Sequence, residues 1–241
     1  MDGAVRRWRV HVPALALLAA AGLPARASKD ADQPRPAGAR LPVDTARLPA
    51  PGSYVLPRLQ KAPDGEVLDT DGRPRRLHGV LAGRLTVLSF MYTYCRDPEG
   101  CPLAWQAMEN VQRQLLTDPA LAARAQLVSL SFDPTNDTPR QMAAYGGKRM
   151  NDPRARWVFL TTASVARLLP LLAGFGQDVS IDLDAQGRPM RTLNHLLKIF
   201  LVDASLQVRE IYGVATLAPE TIFNDLRTLQ GEAAATAPWR R

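Results

Sequence analysis

The sequence predicts a layered α/β fold in which a central mixed β-sheet is flanked by helices. Three observations predict it. Short apolar runs rich in β-branched and aromatic residues alternate with segments of helical period. The alternation ends in two runs that read as a β-hairpin, followed by one more helical segment. The chain has 241 residues, 46% of them apolar, which suffices for one ample domain with a buried core. No internal repeat is visible.

Each element has a local reason. "LTVLSFMY" (85–92) is a short, mainly apolar run with β-branched and aromatic residues, as a buried strand is. After Cys101-Pro102, "LAWQAMENVQRQLL" has helical period, and proline suits the first helical position because its φ is already fixed. "AQLVSLSF" (125–132) reads as a second buried strand. "DTPRQMAAYGGKRM" offers Thr138 as N-cap, Pro139 at the first position and Gln141 three residues after the cap, a capping-box pattern. "RWVFL" (156–160) predicts a strand, and "SVARLLPLLAGF" (164–175) a helix bent or broken at Pro170. "LLKIFLVD" (196–203) and "QVREIYG" (207–213) form the hairpin. "PETIFNDLRTLQG" (219–231) is a last helix, ended by Gly231.

The flanks are of another kind. Residues 1–27 have a basic start (Arg6, Arg7, Arg9), an apolar run from Val10 to Leu23 and a small-x-small ending, Ala25-Arg26-Ala27. That is the form of a secretory signal peptide, with an uncleaved membrane anchor as the rival. Residues 28–53 are rich in Pro and Ala and read as a linker. The domain spans 54–230, and 231–241 is a tail. The formal charge is +7, from 30 basic and 23 acidic residues. Cleavage after Ala27 removes four arginines and one aspartate, leaving 26 and 22, a net charge of +4. No basic block accompanies it, so no nucleic-acid partner is expected. The sequence also lacks a phosphate loop, a nucleophilic serine motif and a carboxylate pair placed for acid–base work.

The chemistry therefore rests on thiols. The only two cysteines, Cys95 and Cys101, stand six positions apart in "YTYCRDPEGCPLA". Cys95 lies just past a buried strand and Cys101 at a helix N-terminus, whose free N–H groups and partial positive charge favour a thiolate. Three uses are open: a structural disulfide, a reversible dithiol, or a two-thiolate metal site. A disulfide closing a loop of about seven residues contributes only about 2.4 kcal/mol by loop-closure entropy. An export signal makes oxidation, or deliberate reduction for metal or redox work, the relevant chemistry. Of the three histidines, His11 is in the leader and His78, among charged neighbours, reads as a surface residue. His195 sits directly before the apolar run of the hairpin. Two readings are open for it: a satisfied core or edge histidine, or, paired with the two thiols, the nitrogen of a soft set of two sulfurs and one nitrogen suited to copper or zinc. Met91 and Met108 near the thiol loop read as core filler, and Asp97 and Glu99 as a solvated loop.

"SFMYTYCRDPEGCP", "SFDPTNDTP" and "HLLKIFLVD", in that order, resemble the Sco/SenC family of copper metallochaperones, over roughly residues 54 to 230. The resemblance implies a thioredoxin-like fold. It also implies copper, Cu(I) or Cu(II), as the metal, with Cys95, Cys101 and His195 as ligands. The aspartate of the family's Ser-x-Asp-Pro motif falls on Asp133, an outer-shell or partner-contact position. The family has three residues between its cysteines where this chain has five, "RDPEG", with Pro98 and Gly100 among them. The implied role is delivery of copper to a respiratory copper-accepting protein or its assembly factors, as in cytochrome c oxidase. The implied setting is a monomer in the periplasm or another extracytoplasmic space, soluble or near a membrane. Two rivals stand beside it. One is a thiol–disulfide oxidoreductase using Cys95 and Cys101, and the other is a non-catalytic domain with a permanent disulfide.

Overall fold

The computed structural model describes residues 47–95 and 100–236. The leader, most of the linker, the loop residues Asp97, Pro98 and Glu99, and the last five residues lie outside the described residues. In chain order the elements are β1 (Gln60–Lys61), β2 (Glu66–Leu68), β3 (Pro74–Arg76), α1 (Leu77–Leu81), β4 (Leu85–Met91), α2 (Cys101–Leu116), α3 (Pro119–Ala122), β5 (Ala125–Ser131), α4 (Pro139–Met150) and β6 (Trp157–Leu160). Then follow α5 (Val165–Phe175), β7 (Val179–Leu183), β8 (Pro189–His195), β9 (Ile199–Val202), β10 (Gln207–Tyr212) and α6 (Pro219–Thr236).

The sheet is mixed, in the order β1-β10-β9-β4-β5-β6. β4, β5 and β6 are parallel, joined by α2 and α4, while β9 pairs antiparallel with β4 and with β10. Every residue of β4 and β5 is buried, which is why both runs read as continuously apolar instead of alternating. Alternate side chains of β4 serve two cores. Phe90 meets Phe175 of α5 and Phe200 of β9, at ring distances of 5.4 and 6.0 Å. On the opposite face, Trp105 of α2 lies 4.8 Å from Trp157, and Tyr145 of α4 lies 6.4 Å from Phe159. The indole N–H of Trp157 donates to Ser129 Oγ, so this buried ring leaves no polar group unpaired. α6 packs beside α2.

Several expectations hold at atomic detail. Thr138 caps α4 by accepting from the Gln141 N–H, and Ser164 caps α5 in the same way from Arg167. Gly176 closes α5 with φ +62, a left-handed conformation that glycine adopts without steric cost. Met91 and Met108 are core residues, 4% and 1% exposed.

Others are corrected. α5 is not broken at Pro170; it continues to Phe175. Proline forgoes only the bond its N–H would have given the Ala166 carbonyl, and Leu168, Leu171, Leu172 and Phe175 hold the helix against the core. Gly231 does not end α6, which runs on to Thr236. An interior glycine costs about 1 kcal/mol relative to alanine. Here Glu232, one residue on, pairs with buried Arg209 at 2.8 Å and keeps the helix in place. The end of the linker is docked, since Asn224 donates to the Pro49 carbonyl and the Gly52 N–H donates to Thr228 Oγ1. His78 is half-buried, not a surface residue. Its Nε2 lies 2.7 Å from the Ala62 carbonyl and its Nδ1 faces Asp64.

Candidate metal centre

The thiols sit where parallel strands end. β4 leads out through Tyr92 and Thr93 into a tight turn, in which the Cys95 N–H donates to the Tyr92 carbonyl. The chain returns at Gly100, and Cys101 is the first residue of α2, with Pro102 behind it. Cys101 is buried at 3% exposure, Cys95 is half-buried, and both are free thiols.

His195 arrives on a separate element. It ends β8, which pairs with β7 as a separate two-stranded ribbon, Val179 opposite His195. The ribbon was not legible as strands in the sequence. Gln177, 2% exposed, donates to the Leu196 carbonyl at 3.0 Å and holds the segment that follows the histidine. The imidazole stacks against Phe132, ring centres 4.4 Å apart. Its Nδ1 lies 3.3 Å from the same Leu196 carbonyl, which can only accept a hydrogen bond. A proton on Nδ1 leaves Nε2 as the ligand nitrogen of the neutral ring. That Nε2 is 3.9 Å from Cys101 Sγ.

The electrostatics divide the two thiols. The hydrogen bond from the Cys101 thiol is the main cause holding the Cys95 sulfur well below the usual thiol range. Burial opposes it, and contacts with His195, the Tyr92 hydroxyl and the Cys101 N–H add to it. Cys101 is pushed up, first by its hydrogen bond to Cys95 and then by burial. This reverses the expectation of a thiolate at the helix N-terminus: of two sulfurs in contact, the buried Cys101 keeps the proton because burial and its hydrogen bond to Cys95 outweigh the helix end, and the half-exposed Cys95 carries the charge. Tyr92 is pushed up by burial and then by its hydrogen bond to Cys95, and its oxygen also meets the Leu193 N–H of β8. Tyr92 thus ties the thiol turn to the histidine ribbon.

Behind this layer stand two aspartates. Asp133 accepts from the Tyr94 hydroxyl and from Asn136 Nδ2, and Tyr94 packs edge-on to Tyr92 at 4.8 Å. Asp133 thus reaches the thiol turn through Tyr94 and Tyr92. Asp137 was not singled out in the sequence, yet it is fully buried. It accepts from the Thr93 N–H, the Thr93 hydroxyl and the Ser131 hydroxyl. The structure makes it the anchor of the turn that carries Cys95.

The donor set suits a soft metal. With bond lengths of about 2.3 Å to sulfur and about 2.0 Å to nitrogen, two ligands of one ion lie up to roughly 4.3 Å apart. The Cys101–His195 separation of 3.9 Å falls inside that limit. Among the described residues no three Cys, His, Asp or Glu donors already meet at a common point. Loading requires the sulfur hydrogen bonds to be exchanged for bonds to the ion.

A mixed sheet with a dithiol turn before its first long helix defines a thioredoxin-like thiol protein. A family model described as SCO1/SenC matches residues 60–231, and the chain belongs to that family. A curated Stutzerimonas stutzeri protein described as "Putative copper-binding protein" is 33% identical over 91 residues, 38% of this chain and 42% of that one. The chain thus spans less than half the length of that relative. Among solved structures, copper-bound ScoI of Bradyrhizobium japonicum superposes with a TM-score of 0.56 at 22% identity, covering 70% of this chain and 99% of that one. BsSco, a member of the Sco family of cytochrome c oxidase assembly proteins in which a disulfide switch was identified, gives 0.55 at 22% identity, covering 73% and 98%.

Proposed function

We propose that this chain is an exported copper carrier. It holds one copper ion with Cys95, Cys101 and His195 and yields it to a respiratory copper-accepting protein during assembly of a site of the cytochrome c oxidase type. The observation that carries the reading is the meeting of Cys101 Sγ and His195 Nε2 at 3.9 Å, with the Cys95 sulfur hydrogen-bonded to the same thiol. Family membership supports it, as do the copper-binding descriptions of the relatives. Two thiolates suit Cu(I), and an added imidazole extends the set to Cu(II). Delivery is ligand exchange. An acceptor thiol gives up its proton as its sulfur takes the copper, and the released Cys95 or Cys101 takes up a proton. The metal keeps its oxidation state. The leader pattern supports export with a mature terminus at Ser28, which intact-mass measurement of the isolated protein checks. Retention of Met1 in membranes is the contrary result.

A second reading rests on the unequal thiols. The half-exposed Cys95 thiolate attacks a partner disulfide, expelling one partner thiolate. Cys101, losing its proton, then attacks Cys95 and releases the second. Cys95 and Cys101 end as a disulfide and the partner gains two electrons. Anaerobic titration of the reduced chain with Cu(I) against a chelator separates the readings. One equivalent bound, weakened in Cys95→Ser, supports the carrier. No binding, with disulfide exchange intact, supports the oxidoreductase.

A further inference from the structure

Each of the three parallel strands begins just after an arginine: Arg84 precedes β4, Arg124 precedes β5 and Arg156 precedes β6. These residues are far apart in sequence. The parallel register, Leu85 opposite Ala125 and Leu127 opposite Trp157, gathers them at one pole of the sheet, the end away from the thiols. Arg84 and Arg156 line a cavity of about 570 Å³ whose apolar wall includes Leu115, Leu116 and Met150. That volume is within the range of about 300–1,000 Å³ common to small-ligand sites.

The charges of this cavity are unbalanced. Its carboxylate, Asp152, is occupied by Arg154, whose Nε and Nη2 donate to Oδ1 and Oδ2. Arg84 uses one donor, Nη1, on the Ala123 carbonyl. Among the described residues neither Arg84 nor Arg156 has a carboxylate partner. A guanidinium has five N–H donors, so both keep several for a ligand. The pair is also close enough that the Arg84 charge, after burial, lowers the proton affinity of Arg156. An anion between them removes that repulsion.

We propose that this cavity is an anion site, taking a ligand with a phosphate or carboxylate head and a short apolar body. The head lies between Arg84 and Arg156, and the body lies on the part-exposed Leu116 and Met150. The site is at the opposite pole from Cys95 and Cys101 and independent of copper. The same head chemistry is offered by a free organic anion and by a lipid headgroup in an anionic membrane, and the test separates them. Hexyl phosphate and inorganic phosphate are titrated into the metal-free full chain. In parallel, the chain is sedimented with phosphatidylcholine vesicles with and without phosphatidylglycerol. Hexyl phosphate should bind more tightly than inorganic phosphate. Arg84→Gln and Arg156→Gln should each weaken binding by roughly tenfold, the worth of about one charge-assisted hydrogen bond. Binding should fall as ionic strength rises from about 0.01 M to about 1 M, where screening shortens from about 30 Å to about 3 Å. Binding only to phosphatidylglycerol vesicles, lost in the same variants, assigns the head to a lipid. The Arg156 carbonyl accepts from the Leu127 N–H, a backbone bond that glutamine keeps, and among the described residues its side chain makes no hydrogen bond, so an unchanged melting temperature shows that Arg156→Gln is folded. The proposal is overturned if no probe binds, or if Arg140→Gln, an exposed arginine outside the cavity, weakens binding as much as the cavity variants do.

Discussion

Cys101 Sγ and His195 Nε2 are 3.9 Å apart although 94 residues separate them along the chain. α2 opens at the C-terminal end of β4, and β8 delivers the histidine to the same place. This contact predicts an oxidation-state asymmetry. His195→Ala should weaken Cu(II) binding by about tenfold or more and Cu(I) binding much less, because Cu(II) needs nitrogen or oxygen donors and Cu(I) is held by two thiolates. Competition titrations of both ions check this. An equal loss for the two would contradict it.

The unequal thiols predict a pH profile. Cys95 is held low chiefly by the Cys101 hydrogen bond. In Cys101→Ala the Cys95 sulfur loses that donor, and its titration should move up toward the ordinary value of about 8.5. The rate of iodoacetamide alkylation against pH should show a lower inflection in the wild type than in the variant. Coincident inflections would remove the hydrogen bond as the cause.

Asp137 predicts a stability change with a definite sign. Burial is the largest influence on its carboxyl and raises its pKa. The folded form therefore keeps a proton that the unfolded chain has lost. Its contribution to stability falls as pH rises from the unfolded value, about 3.9, through the higher folded value, and is constant above that. Asp225 is raised by burial in the same sense. Urea unfolding of wild type and Asp137→Asn across that window isolates the Asp137 share, and the wild type should lose stability relative to the variant as pH rises. Asp137→Ala should cost about 2–4 kcal/mol at neutral pH, since it strands the Thr93 and Ser131 donors.

Arg209 predicts a large loss far from the thiols. It is 5% exposed and pairs with Asp203 at 3.0 Å and Glu232 at 2.8 Å. Arg209→Met leaves Asp203 buried without its cation and should cost about 3–5 kcal/mol. Deleting the chain from Glu232 onward should cost clearly less, because Asp203 keeps its partner. Melting temperatures rank the two.

The elements legible in the sequence are those with one strong periodic or apolar signal. β4, β5 and β9 are buried runs, and α4 announces itself through Thr138 and Pro139. The β7–β8 ribbon was not legible because it packs as a two-stranded outlier with Ile181 and Leu183 exposed, so no buried run or clean alternation marks it. Cys95, Cys101 and His195 were legible as residue types in order. Their support was not. Tyr92 looked like the end of a strand and Gln177 carried no local signal, because their roles come from partners distant in the chain, Leu193 and Leu196. Gly231 misled because its terminating tendency was outweighed by an ion pair to Arg209, a tertiary contact absent from local sequence.

The most direct test of the central claim is X-ray absorption at the copper edge of the Cu(I)-loaded, metal-saturated protein. Two sulfur scatterers at about 2.3 Å are expected, with a nitrogen at about 2.0 Å joining them in the Cu(II) form. Cys95→Ser should remove one sulfur. A first shell made only of nitrogen and oxygen, or a spectrum unchanged in Cys95→Ser, would contradict it.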